Sequence, residues 1–178
     1  MKTLTVIGTR PYAHVREDCH ALKGARSVHD TVVERCAGRI APELGDCILV
    51  PVPSHKGAAT DTLLLSEAIK ANLVSRGHTC LVLDVLRAEP HRPLHEAKHD
   101  DDDAWSIGIH IRCRQCADMD RLRSNAAMPE DAKLSVLLVD NVIDTGRTVE
   151  ACMHAFPFDG IAAVGDTQEW KGRISETP

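Results

Sequence analysis

One stretch of the sequence constrains the fold more than any other. It begins with an apolar run, continues into a polar turn and ends with a second apolar repeat. Residues 135–152 read SVLLVDNVIDTGRTVEAC. Four consecutive aliphatic residues, 136–139, are typical of a strand buried on both faces, as in parallel sheets covered by helices. Apolar residues recur at helical spacing over residues 149–156, and Pro157 ends that pattern. The stretch therefore predicts a strand, a turn and a helix.

Similar patterns recur along the chain and predict the fold class. The predicted strands are residues 4–8, 47–53, 80–86, 134–140 and 161–165, and the predicted helices are residues 27–40, 60–77 and 149–156. An alternating segment, residues 106–112, predicts one arm of a hairpin within the long polar stretch 89–131. This order is typical of an open, mainly parallel α/β sheet with helices on both faces. Ligands of such sheets bind at the carboxyl ends of the strands.

Length and composition favour one soluble domain spanning residues 1–178. A chain of 178 residues with 43% hydrophobic residues can bury one core. The net charge of -5 argues against a general nucleic-acid binder, which usually carries a basic surplus. No apolar run approaches the roughly 20 residues that cross a bilayer. We therefore expect no membrane association and no nucleic-acid partner.

The cysteines indicate the compartment. There are seven, an odd number, and several lie in apolar surroundings, as Cys36, Cys47, Cys80 and Cys152 do. No signal peptide is recognisable at the start of the sequence. Buried thiols in a reducing cytoplasm are the expected arrangement.

The polar turn carries groups suited to binding an anion. In DTGRT, residues 144–148, a strand runs into a helix, so successive backbone N–H groups can point into one cavity at the positive end of the helix dipole. Gly146 permits close approach of the backbone, and the hydroxyls of Thr145 and Thr148 can donate to phosphate oxygens. The alternative is an ordinary strand-to-helix turn with capping Asp and Thr side chains.

Asp140 and Asn141 precede this turn at the end of the predicted strand. Their side chains are placed to hydrogen-bond neutral hydroxyls, and Asp140 could also sit beside a metal ion. A phosphate cradle next to a hydroxyl-binding pair favours a sugar phosphate as the ligand.

The sequence VLLVDNVIDTGRT, residues 136–148, resembles the phosphoribosyl-diphosphate (PRPP) binding motif of type I phosphoribosyltransferases. The resemblance implies that Asp140 and Asn141 hold the ribose hydroxyls. It also implies a set of residues that bind the 5′-phosphate: Asp144, Thr145, Gly146, Arg147 and Thr148. Family members transfer phosphoribose from PRPP to a nitrogenous base with Mg²⁺, release diphosphate, and are often homodimers. The family's fold also implies that residues 1–45 contribute to a hood that selects the base and that residues 89–131 form a flexible loop.

Further segments are similar to other parts of the family. PVPSHKG, residues 51–57, looks like the pyrophosphate loop, which implies a diphosphate-binding set of Ser54, His55, Lys56 and Gly57. The EAK run, residues 96–98, is similar to the catalytic loop of orotate phosphoribosyltransferases and implies that Lys98 swings over the diphosphate. Trp170 follows the last strand and is a candidate for stacking on the base, although packing in the core is the simpler role.

Two positions of the motif determine the chemistry that we expect. VIDTG is similar to the matching segment of hypoxanthine-guanine phosphoribosyltransferases, so Asp144 is a candidate general base, with helix capping as its rival role. Together with HKG this favours a 6-oxopurine acceptor, whereas EAK favours a pyrimidine. Most active members carry an acid where this chain has Asn141. The amide could weaken PRPP binding, alter metal dependence, or mark a non-catalytic PRPP- or nucleotide-sensing regulator, and we expect Asn141→Asp to tighten PRPP binding.

A second metal site is a weaker candidate. His110, Cys113 and Cys116 have a spacing compatible with zinc ligands, but the sequence supplies no second Cys-x-x-Cys for a fourth ligand. The alternatives are a pair of thiols in a loop or half-buried strand residues.

Overall fold

The fold is built around a parallel sheet, which a computed structural model describes over residues 5–7, 9–23, 27–93, 96, 108–114 and 134–167. The strands within these ranges are β1 (Thr5–Ile7), β2 (Arg10–Pro11), β3 (Cys47–Pro51), β4 (Cys80–Val82), β5 (Leu86–Ala88), β6 (Ile111–Cys113), β7 (Ser135–Ile143) and β8 (Gly160–Asp166). The helices are α1 (Tyr12–Leu22), α2 (Asp30–Leu44), α3 (Asp61–Ser75) and α4 (Arg147–Ala155).

The strand order of the main sheet is β1-β8-β7-β3-β4, with β2 also paired to β8. Every pairing described in this sheet is parallel. The long buried strands β3 and β8 carry continuous apolar sequence, as expected when both faces of a sheet are covered. The predicted α/β class with a mainly parallel sheet is confirmed.

Helices cover both faces of the sheet. On one face, buried side chains of α1, α2 and α3 pack against alternate strand residues such as Leu49, Leu137 and Ala162. On the other face, Val149 and Cys152 of α4 pack with the next residues along the same strands. The alternation follows from the period of two in a strand, which sends successive side chains to opposite faces.

The apolar run at residues 80–86 does not form the single strand that its composition predicts. β4 ends at Val82, and β5 begins at Leu86 in a separate two-stranded sheet with β6. Between them Asp84 forms a bidentate ion pair with Arg87, at 2.5 and 2.8 Å, which stabilises the change of direction. The antiparallel strand β6 shares only Ile111 and Arg112 with the hairpin arm expected at residues 106–112, whose first two residues lie outside the described part of the chain.

Helix α1 was not predicted from the sequence, and it packs closely on β8. Gly165 makes this approach possible, because a Cβ atom at that position would lie 3.0 Å from Val15 Cγ2 and 3.3 Å from Cys19 Sγ. From the neighbouring helix, Arg35 Nη2 donates to the carbonyl oxygen of Val164 at 3.1 Å. Both contacts bring the amino-terminal helices to the carboxyl half of β8.

The buried thiols expected at Cys36, Cys47, Cys80 and Cys152 are confirmed, and Cys19 is also free and buried. Cys113 departs from the expectation of thiols, because it is disulfide-bonded. Burial raises the pKa of Cys36 to about 11. Within the described part of the chain, no helix has the length and apolar character needed to cross a bilayer.

Candidate functional site

The candidate site lies where β7 continues beyond its neighbour β3. Pairing between these strands ends with Pro51 opposite Val139, and Val52 N donates to the carbonyl oxygen of Val139 at 2.9 Å. β7 runs on to Ile143, paired with β8 alone. The prediction that Asp140 and Asn141 end the strand is therefore wrong, because pairing with β8 keeps the backbone extended for two residues beyond Asn141. Asp140 lies on the part of β7 that β3 no longer flanks.

The turn after β7 has the backbone conformation that a phosphate cradle requires. Gly146 is the N-cap residue of α4 and has φ 81° and ψ -5°, in the left-handed region that favours glycine. Its carbonyl oxygen accepts the first helical hydrogen bond, from Glu150 N at 2.9 Å. The first N–H groups of α4 have no partner within the helix and point towards this turn. Thr145 is buried, and its hydroxyl lies 3.5 Å from Arg147 N.

Asp140 has a perturbed carboxyl group. Burial raises the pKa of Asp140 to about 6, and hydrogen bonds from the backbone N–H groups of Asn141 and Val142 oppose the rise. The contact from Asn141 N to Asp140 Oδ1 is 2.7 Å long. At neutral pH most of this group is still ionised, so it can accept hydrogen bonds from sugar hydroxyls.

Asn141 faces the amino-terminal helix. Its Nδ2 donates to the carbonyl oxygen of Cys19 in α1 at 3.1 Å. Its Oδ1 is buried and has no hydrogen-bond partner. The amide Nδ2 of Asn141 is therefore already hydrogen-bonded within the protein.

Asp144 is held by a residue that the sequence did not suggest. Thr167 Oγ1 lies 3.0 Å from Asp144 Oδ1 and 3.2 Å from its carbonyl oxygen, and Thr167 N donates to the carbonyl oxygen of Ile143 at 3.1 Å. The rival role of Asp144 as the helix N-cap is wrong, because Gly146 is the N-cap residue of α4. No motif marks Thr167, although its place directly after a strand could have suggested a residue at the ligand edge.

The predicted diphosphate loop is a tight turn seated on β5. Gly57 N donates to the carbonyl oxygen of Ser54 at 2.9 Å, and Gly57 has φ 108°. The loop docks through a hydrogen bond of 3.0 Å from Ala88 N to the carbonyl oxygen of Gly57. Lys56 is exposed at the tip, where its ammonium group can meet an anion, and His55 is half-buried beside it.

Ser54 shapes this loop with its side chain. The hydroxyl donates to the carbonyl oxygen of Ala58 at 2.9 Å and accepts from Lys56 N at 3.2 Å. Because a hydroxyl has one hydrogen to donate, Ser54 cannot also donate to a phosphate while this bond persists.

Two predicted catalytic or base-binding residues, Lys98 and Trp170, lie outside the described residues. So does Cys116 of the possible zinc set, and Cys113 is disulfide-bonded, so its sulfur is not a thiolate ligand. Among the residues that the structure describes, no group of three or more His, Cys, Asp or Glu side chains could hold a metal ion.

A cavity of about 480 Å³ lies elsewhere, between β6 and α4. Its lining includes Glu89, His110, Arg112, Ala151 and His154. Arg112 Nη2 donates to Glu89 Oε1 at 2.6 Å, so the main cation of this cavity is already paired. The described lining contains none of the residues predicted to bind PRPP. We place the candidate site at the Gly146 turn because a cradle of backbone donors need not be a deep cavity.

Fold and site together define an α/β protein with an open parallel sheet whose carboxyl edge carries a glycine-centred strand-to-helix turn beside a half-buried carboxylate. Comparisons with protein-family models and with curated proteins find no match for this chain.

Proposed function

We propose that this protein is a phosphoribosyltransferase that transfers 5-phosphoribose from PRPP to a nitrogenous base, with 6-oxopurines favoured, and releases diphosphate. The observation that carries the proposal is the left-handed Gly146 turn at the start of α4, immediately after the segment of β7 that holds Asp140. A phosphate suits the N–H groups of the turn, and ribose hydroxyls suit the nearby carboxylate. Five residues separate Asp140 from Gly146, three of β7 and two of the turn.

The loops at the same edge of the sheet support the proposal. β3 ends opposite Val139, so the loop of residues 52–57 begins beside Asp140 at the same edge of the sheet. Lys56 is exposed on that loop and would neutralise the departing diphosphate. Transfer breaks the bond between the anomeric carbon and a diphosphate oxygen and forms one to a base nitrogen. Positioning and charge stabilisation would supply most of the catalysis.

Asp144 would handle the proton that the incoming base loses. Its carboxylate accepts a hydrogen bond from Thr167, which fixes the orientation of the side chain between the ends of β7 and β8. A general base must lie within hydrogen-bond reach of the proton that it accepts, so a fixed orientation serves this role.

The proposed cofactor is Mg²⁺. Asp140 supplies a carboxylate at the proposed ribose site, and no group of three or more candidate metal ligands lies among the described residues, so the ion would arrive chelated by the substrate diphosphate. When bound, Mg²⁺ would neutralise charge on the diphosphate. The proposal includes a cytoplasmic location and a homodimer, both implied by the family resemblance.

One observation favours a second function, a PRPP- or nucleotide-sensing regulator without catalysis. Asn141 donates to the protein backbone and brings no charge to the ribose. Diphosphate release from PRPP and Mg²⁺, measured with a panel of 6-oxopurines, pyrimidines and a blank without base, separates the two functions. Release that depends on a base supports the enzyme. PRPP binding without release supports the regulator, and absence of PRPP binding contradicts both.

A further inference from the structure

Asn141 connects helix α1 to the candidate site through two hydrogen bonds. Its Nδ2 donates to the carbonyl oxygen of Cys19 at 3.1 Å, and its backbone N donates to Asp140 Oδ1 at 2.7 Å. The Cys19 carbonyl also accepts from Lys23 N at 3.3 Å, at the carboxyl end of α1. A single residue thus links the last turns of this helix to the carboxylate that we propose holds the ribose.

The contact with Cys19 requires a hydrogen-bond donor at position 141. A carbonyl oxygen and an ionised carboxylate both accept only, so aspartate could not make the bond. The opposite orientation of the amide would set Oδ1 against the carbonyl oxygen. Because Oδ1 is buried without a partner, the side chain leaves one polar atom uncompensated while its donor side is satisfied. The bond from Nδ2 to Cys19 needs an amide at position 141, whereas binding a ribose hydroxyl does not. The contact with α1 therefore explains the asparagine better than a ligand-binding role does.

We propose that Asn141 is a positioning residue: its side chain fastens α1 against β7. This contact keeps β7 in the position from which the backbone N–H of residue 141 orients the Asp140 carboxylate towards the ligand. The close packing of α1 on Gly165 places the helix at this edge of the sheet independently of the amide. The role towards Asp140 rests on the proposed function, whereas the docking of α1 does not. The inference reverses the expectation that Asn141→Asp tightens PRPP binding, because the variant loses the donor and adds a charge beside Asp140.

Asn72 on α3 offers a matched control. Its Nδ2 donates to Glu34 Oε1 at 2.7 Å, and its Oδ1 is also buried without a partner. It is half-buried like Asn141 but lies on a helix outside the candidate site. Asn72→Leu therefore repeats the chemical change of Asn141→Leu without touching α1 or Asp140.

The test combines hydrogen exchange with ligand titration in the full chain. Amide exchange of α1 and α3 peptides is measured by mass spectrometry in the wild type, Asn141→Leu, Asn141→Asp and Asn72→Leu. Affinity for ribose 5-phosphate is measured by calorimetry on the same proteins. Asn141→Leu adds no charge, so it decides the question if Asn141→Asp fails to fold.

We expect Asn141→Leu to speed exchange in α1 by about tenfold with α3 unchanged, and to weaken ribose 5-phosphate binding by about fivefold, since one hydrogen bond is lost. Asn72→Leu should leave the exchange of α1 and the affinity for ribose 5-phosphate at wild-type values. Unchanged exchange in α1 overturns the inference. Faster exchange in α1 with unchanged affinity also overturns it, because the residue would then be structural alone. If the wild type binds no ribose 5-phosphate, the proposed function is wrong, and so is the proposed role of Asn141 towards Asp140. Faster exchange of α1 in Asn141→Leu would still establish that Asn141 docks this helix.

Discussion

The hydroxyl of Thr167 lies 3.0 Å from Asp144 Oδ1, so the first residue after β8 holds the first residue of the turn after β7. The two strands are neighbours in the sheet, with Ile143 opposite Asp166. Their ends are thereby joined by a side-chain bond in addition to the backbone ladder. Asp144 is consequently fixed in place before any ligand binds.

Thr167→Val should lower the free energy of unfolding by about 1–2 kcal/mol, because it removes a hydroxyl that donates to a carboxylate while keeping the side-chain shape. Urea denaturation measures the change. Thr167→Ser retains the hydroxyl and serves as the control. Equal stability of the valine and serine variants would show that this hydrogen bond contributes nothing.

Asp144→Asn should abolish transfer, by about 10²–10⁴-fold, and leave PRPP affinity near the wild-type value. An amide can still accept from Thr167 but cannot take a proton from the base. Diphosphate release measures the loss of transfer, and calorimetric titration of the same preparation measures the affinity for PRPP. Full activity in the variant would refute Asp144 as the general base.

Gly146→Ala should cost about 1–2 kcal/mol of stability, because φ at this residue is 81°. It should also weaken ribose 5-phosphate binding, since the methyl group crowds the backbone donors of the turn. Gly77→Ala is the control: φ there is 87° and a Cβ would meet nothing within 4 Å. Both variants should lose similar stability in urea denaturation, and Gly146→Ala alone should lose affinity. Equal affinity for ribose 5-phosphate in both variants would show that Gly146 is not part of the binding site.

The Asp140 carboxyl predicts a pH dependence of stability. Its pKa is raised from 3.8 to about 6 by burial, so the folded state binds this proton more tightly than the unfolded state. The contribution of Asp140 to the free energy of unfolding is complete below about pH 4 and is lost as pH rises through about 6. Its upper limit is about 3 kcal/mol. Urea denaturation of the wild type and Asp140→Asn across this range, in a chelating buffer, measures it. Parallel pH profiles of the two proteins would contradict the shift.

Much of the fold was predictable because continuous apolar runs mark strands that are buried on both faces. β3 and β8 follow that rule. Helix α1 gives a weaker signal, since it buries only Val15, Cys19 and Leu22 and has non-helical angles at Val15. The run at residues 80–86 does not form one strand because β4 ends at Val82, and its last residue, Leu86, pairs with Cys113 in β6, more than twenty residues away in sequence.

The turn of the candidate site was predictable for a local reason, whereas its supports were not. A left-handed backbone position between a strand and a helix is specified by the glycine itself, so Gly146 could be recognised. The contacts Thr167–Asp144 and Asn141–Cys19 join residues 23 and 122 positions apart. Such pairs depend on strand order and helix docking, which the residue types alone do not specify. The contact between Asn141 and Cys19 is the observation behind the proposal that residue 141 positions Asp140.

The most direct test of the central claim is a titration of isotope-labelled protein with ribose 5-phosphate, followed by amide NMR spectra. The account predicts that the amide signals of residues 145–148 move together and saturate, with smaller shifts at Asp140 and Asn141. Inorganic phosphate should move the first group alone. Unmoved signals in the Gly146 turn, or shifts confined to the cavity between β6 and α4, would contradict the account.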